Sequence, residues 1–131
     1  MTKLPNDPLL ETNLKQLVHR MKNKKISCEE VTKTYLQRIE LVNENLHSYI
    51  FVDYKGAISS AVAIDNLISA GVDLGPLMGV PVAIKDICSV SGMPTTNGSI
   101  VESEDLSGPE GTLVKRLRSL GCIILGKTHT V

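Results

Sequence analysis

Aromatic residues are almost missing from this chain: no Trp, one Phe and three Tyr in 131 positions. That scarcity argues against a base-stacking platform for single-stranded nucleic acid. Excess charge is missing as well. Fourteen Lys and Arg balance fourteen Asp and Glu, so the formal net charge is zero. Such a balance leaves no electrostatic footprint for nucleic acid or an anionic membrane. No apolar run approaches the roughly 18 residues of a membrane span. The N-terminus, MTKLPNDPLLE, has no apolar core of a secretory signal. Cysteines are few and odd in number, Cys28, Cys88 and Cys122, with no CxxC spacing. A reduced, cytoplasmic protein fits that pattern better than a disulfide scaffold. His19, His47 and His129 are scattered and make no metal-ligand spacing with the cysteines. The chain is therefore expected to use no metal and no cofactor, and to have neither nucleic acid nor membrane as a direct partner.

What is present is ordinary for a globular chain: 42% hydrophobic and 21% charged residues, in a length that supports one domain of modest core. Leu14, Leu17, Val18 and Met21 recur at helical spacing and predict a helix over about residues 11–24. Ser27-Cys28-Glu29-Glu30 is a capping-box pattern, in which the Ser27 hydroxyl and the Glu30 carboxylate each satisfy a free amide. It opens a second helix near 28–45, with Val31, Tyr35, Ile39 and Val42 on one face. A short strand is expected from Ser48 to Val52. A third helix follows near 54–70, with Ala57, Ala61, Ile64 and Ile68 inward and Gly71 as its left-handed stop.

Residues 80–87 read as an apolar strand, and 88–109 as a long Ser/Gly/Pro-rich connection. A loop of that length inside a compact domain is usually functional. Thr112 to Leu120 predicts a fourth helix, and Cys122 to Leu125 a second apolar strand. Strand, crossover helix and strand imply two parallel strands. Both are apolar throughout, as expected of strands covered on both faces. Residues 1–10, with Pro5 and Pro8, read as an extended arm.

The chemistry points to Lys85. The stretch Gly75-Pro76-Leu77-Met78-Gly79-Val80-Pro81-Val82-Ala83-Ile84-Lys85-Asp86 delivers a lysine from the end of an apolar strand. Burial there would disfavour the ammonium, whose free pKa is roughly 10.4, and make the amine a usable base near neutral pH. Read alone, a strand-end lysine reaching water beside Asp86 is the simpler picture. The neighbouring blocks change it. GPLMGVPVAIKD, then Gly92-Met93-Pro94-Thr95-Thr96-Asn97-Gly98-Ser99, then Gly121-Cys122-Ile123-Ile124-Leu125-Gly126-Lys127-Thr128, closely resemble the amidase signature family, from about Leu14 to the last residue.

That resemblance implies an α/β fold, its N-terminal part, with helices packed on a mixed and mostly buried sheet. It implies hydrolysis of a carboxylic amide by a Ser–cis-Ser–Lys triad, with a small-molecule amide as substrate and Lys85 as the base. Lys85 is expected to be buried, its amino group facing a cavity. The two serines of the family lie in a Gly/Ser-rich block downstream, which this sequence does not reach. Ser89, Ser91, Ser99, Ser103 and Ser107 read as turn-solvating loop residues. The chain is thus expected to be an N-terminal fragment of a single amidase domain, 1–131, inactive and aggregation-prone alone. The full-length enzyme could be a homodimer.

The resemblance also puts Thr95, Thr96, Gly98 and Ser99 near the active site, positioning Lys85 or the cis-serine; turn residues that supply hydrogen bonds and positive φ are the other reading. Asp86 is given nothing beyond local hydrogen bonding. Two alternatives stand beside the hydrolase: the glutaminase component of a tRNA-dependent amidotransferase, and a non-catalytic remnant or interaction fragment. The glutaminase components usually carry Asn-Met after Gly-Lys-Thr, whereas His129-Thr130-Val131 looks more like the stand-alone amidases. Residues 121–128 also satisfy GxxxxGK[ST], but a helix precedes them and an apolar strand fills the interior, so a phosphate-binding loop is not expected.

Overall fold

A computed structural model describes residues 3–101 and 108–130. Ser103, Ser107 and Val131 lie outside the described residues. The element order is α1 (Leu14–Lys22), α2 (Cys28–Leu46), β1 (Tyr49–Val52), α3 (Tyr54–Ser69), β2 (Pro81–Lys85), α4 (Thr112–Ser119) and β3 (Ile123–Thr128).

Local chemistry accounts for these boundaries. Asn13 and Gln16 form a reciprocal capping box at α1, and Ser27 and Glu30 form the expected one at α2. The N-terminus of α2 has a second anchor. Asp65 of α3 accepts from the Cys28 and Glu29 amides at 2.8 and 3.0 Å, so one helix satisfies the free donors of another. Asp53 caps α3 by accepting from Gly56, and Gly71 follows it at φ 80°. The N-terminal arm is held on α2. The Asp7 carboxylate accepts from the Leu9 amide and, at 2.8 Å, from the Tyr35 hydroxyl, while Arg38 donates to the Pro5 carbonyl.

The sheet has the order β1-β3-β2. β3 is central, antiparallel to β1 and parallel to β2. This is the expected α/β class with a mixed sheet. Alternation along β3 sends Ile123 and Leu125 to one face and Ile124 to the other. The first face carries the main core, with Leu17 and Met21 of α1, Val31 and Ile39 of α2, and Ala57, Ala61 and Ile64 of α3. The second carries a smaller cluster of Ile84, Val90, Met93, Val114 and Ile124.

Two glycines answer close approaches. A Cβ on Gly79, at φ 85°, would stand 2.6 Å from the Cys28 sulfur, and one on Gly126 would run into the Phe51 carbonyl of β1.

The two parallel strands differ in cover. β3 is buried from Ile123 to Lys127. β2 has only Ile84 buried, with Ala83 and Lys85 exposed. The expectation that both would be covered on both faces therefore fails for β2. Among the described residues it is an edge strand, paired on one side alone. Leu14 is likewise exposed rather than inward.

Candidate active site

Lys85 is the last residue of β2, at the carboxyl end of the parallel pair. It is exposed, against the expectation of burial. The cause is the period of the strand. Ile84 and Asp86 point inward, at 4% and 0% exposure, and the residue between them must point the other way. Among the described residues its ammonium makes no ion pair.

The buried lysine is instead Lys127, the next-to-last residue of β3, with no solvent exposure. It pairs with Asp86 Oδ1 at 3.1 Å and donates to the Pro94 carbonyl and to Thr95 Oγ1, each at 2.9 Å. An ammonium has three N–H donors, and three acceptors surround this one. A register irregularity places it there. Val82 pairs with Ile124, but Ile84 pairs with Lys127, so β3 carries one residue more than β2 over that span. The extra residue turns Lys127 onto the face of Ile84 and Asp86.

Asp86 is the hub of this end of the sheet. Its amide donates to the Thr128 carbonyl, and its own carbonyl accepts from Asn97, each at 3.0 Å. Its carboxylate accepts from the Thr96 amide at 3.2 Å and from the Thr96 hydroxyl. Burial works to raise the Asp86 pKa, but the hydrogen bonds from Thr96 and Lys127, with the Lys127 charge, outweigh it and hold the carboxyl below its ordinary value.

The structure brings the remaining candidates together on the loop braced by this pair. Thr95 is buried and receives a hydrogen bond from Lys127; Thr96 binds Asp86. Gly98 sits at φ 73°, its amide donating to Thr96 Oγ1 at 3.3 Å. Ser99 is exposed; its amide donates to the Thr96 carbonyl, and its hydroxyl accepts from Val101. Further along, Glu110 ties the Ser91 amide to the Arg118 guanidinium of α4.

Cys28 and Cys122 are poor nucleophile candidates. Burial, with help from Asp65, pushes the Cys28 thiol up to about 12, and burial also raises Cys122. Among the described residues no three His, Cys, Asp or Glu side chains gather as metal ligands. No described helix is long and apolar enough to cross a membrane. A surface depression of about 1070 Å³ between α1 and Pro76-Leu77 includes neither Lys85 nor the braced loop. The phosphate-loop pattern at 121–128 runs into strand β3 from Ile123 onward, and its lysine is buried against Pro94, Thr95 and Asp86.

Sequence reasoning missed Lys127 and undervalued Asp86. The available signal was an acid and a base of opposite charge near the carboxyl ends of two strands expected to be parallel.

A lysine at the carboxyl end of parallel strands, beside a braced loop, stands where α/β folds place their sites. The chain belongs to the Amidase family, whose model matches residues 30–131. It is 39% identical over 121 residues to the A component of the glutamyl-tRNA(Gln) amidotransferase of Acidothermus cellulolyticus, a match covering 92% of this chain and 24% of that protein. It is 44% identical over 103 residues to the same component from Salinispora arenicola, covering 79% and 21%. Among solved structures it is similar to the peptide amidase of Stenotrophomonas maltophilia, with a TM-score of 0.83 and 32% identity over 94% of this chain and 26% of that one. The chain thus spans about a quarter of the length of these relatives.

Proposed function

We propose that residues 1–131 are the lysine-bearing N-terminal part of an amidase that cleaves a carboxylic amide with a Ser–cis-Ser–Lys triad. Lys85 is its base. The observation that carries this reading is the contrast between the two lysines at the sheet's carboxyl end. Lys127 is fully buried, hydrogen-bonded to Pro94 and Thr95 and paired with Asp86. The Lys85 amine stands free, among the described residues, on a strand end that a braced loop holds in place.

In its neutral form Lys85 draws the nucleophile's proton through the middle serine as the serine oxygen attacks the amide carbon. The proton then passes to the leaving nitrogen as the C–N bond breaks, and water hydrolyses the acyl-enzyme. In this reading the remainder of the family's length supplies both serines and the cover over β2 that desolvates Lys85. The 131-residue chain alone does not turn over amides.

A second reading has the same chemistry in another setting, the glutaminase component of a tRNA-dependent amidotransferase. The two curated relatives above favour it by name, at higher identity than the peptide amidase. The His129-Thr130-Val131 ending favours the stand-alone hydrolase.

The test is Lys85→Ala in the full-length enzyme carrying this segment. Loss of a general acid–base group removes about 10²–10⁴-fold of rate. A change below about tenfold would exclude Lys85 as the base. Ammonia release from free glutamine, set against hydrolysis of simple aryl amides, separates the two readings.

A further inference from the structure

We propose that the buried Asp86–Lys127 pair is a positioning clamp that fixes the backbone of Lys85 and the 94–99 loop together. Neither clamp residue takes part in proton transfer. The proposal rests on the reading of Lys85 as the base.

Three observations support it. Asp86 follows Lys85 directly, and all its polar main-chain and side-chain groups are engaged: amide to Thr128, carbonyl to Asn97, carboxylate to Thr96 and Lys127. Lys127 carries the connection onward to Pro94 and Thr95, so the loop is held at four consecutive residues, 94 to 97, by one ion pair. The register irregularity in β3 turns Lys127 into this position, and such irregularities recur where a strand must re-aim a side chain beside an active site. Among the described residues the Lys85 side chain has no ion-pair tether. Its placement depends on the strand end, and the strand end depends on the clamp.

A structural pair alone would affect folding only. A positioning pair must affect turnover in variants that still fold. The experiment uses the full-length enzyme with Thr96→Val, which removes a hydroxyl from Asp86 and keeps both charges, and with the charge-neutral double variant Asp86→Asn/Lys127→Met. Each is checked for folding by its unfolding transition, and Lys85→Ala is measured in parallel. Misplacing a catalytic group by a fraction of an ångström to an ångström is costly, so kcat is expected to fall about 10- to 100-fold while KM stays within about twofold. The acidic limb of the pH–rate profile, where the base loses its lone pair to a proton, is expected to shift in the same variants, because the surroundings of Lys85 change. Wild-type kcat and an unmoved profile in folded Thr96→Val, with Lys85→Ala inactive, would overturn the clamp and leave the base assignment standing. Full activity in Lys85→Ala would overturn both. If the double variant does not fold, Thr96→Val alone decides.

Discussion

Lys85 and Lys127 end neighbouring parallel strands, yet one faces water and the other has no exposure at all. Strand position explains the difference. β3 is paired on both sides and covered on both faces, so a lysine on it must be buried, and a buried ammonium persists only with a full set of partners. Lys127 has them. Among the described residues β2 is paired on one side, and alternation turns Lys85 away from the core between two inward residues. The comparison teaches that burial of a lysine is not by itself a mark of reactivity. The buried lysine here is occupied, and the exposed one makes no ion pair among the described residues.

The sharpest way to break this comparison is Lys127→Met. It strands the Asp86 carboxylate without its cation in a dry site, and breaking a buried pair from one side costs about 3–5 kcal/mol. Denaturant unfolding of the 131-residue chain should show that loss, with most of it recovered by adding Asp86→Asn. A loss below about 1 kcal/mol would mean the pair is not buried as described.

Acid probes the same pair more gently. The folded state holds Asp86 below its ordinary value, so it binds that proton less readily than the unfolded chain, whose Asp titrates near roughly 3.9. The pair's stabilisation is therefore complete above about pH 4–5 and is lost as the pH falls through the lower folded value. Asp7, Glu30, Asp73 and Glu110 are also held low, so unfolding midpoints followed from neutral pH into strong acid should show a slope that is shallower, not absent, in the Asp86→Asn/Lys127→Met variant.

The free edge of β2 gives a third contrast. An unpaired edge with an exposed apolar residue templates association, and Ala83 lies on it. Concentration-dependent self-association of the 131-residue chain should weaken in Ala83→Lys, and sedimentation would show it. The smallest effect is expected at Lys85 itself. Its truncation to Ala should change the chain's stability by no more than about 0.5 kcal/mol, as for an exposed residue with no ion pair among the described residues.

Much of the fold is legible in the sequence because local signals and tertiary packing agree. The Ser27–Glu30 box starts α2 where expected, and Ala57, Ala61 and Ile64 are the buried stripe of α3. The parallel pairing of β2 and β3 follows from the intervening helix. Legibility fails where a residue's fate depends on distant partners. The apolar pattern ends β3 at Leu125, because Gly126 and Lys127 are weak strand signals. The strand continues to Thr128 because Gly126 admits the close passage of β1 and Asp86 compensates the lysine. The apolar run before Lys85 argues for burial, but the edge position of β2, set by the topology, decides otherwise. Thr95 and Thr96 carry turn chemistry that marks their loop, yet nothing local to them names Lys127 and Asp86 as their partners.

The most direct test of the separation between the two lysines is amine labelling of the folded 131-residue chain. Reductive methylation followed by peptide mass spectrometry reads each lysine in turn. Lys85 should be modified as fast as the exposed surface lysines, and Lys127 should remain unmodified until the chain is unfolded. Modification of Lys127 at the surface rate, or protection of Lys85 in the folded chain, would contradict the assignment of one lysine to the clamp and the other to chemistry.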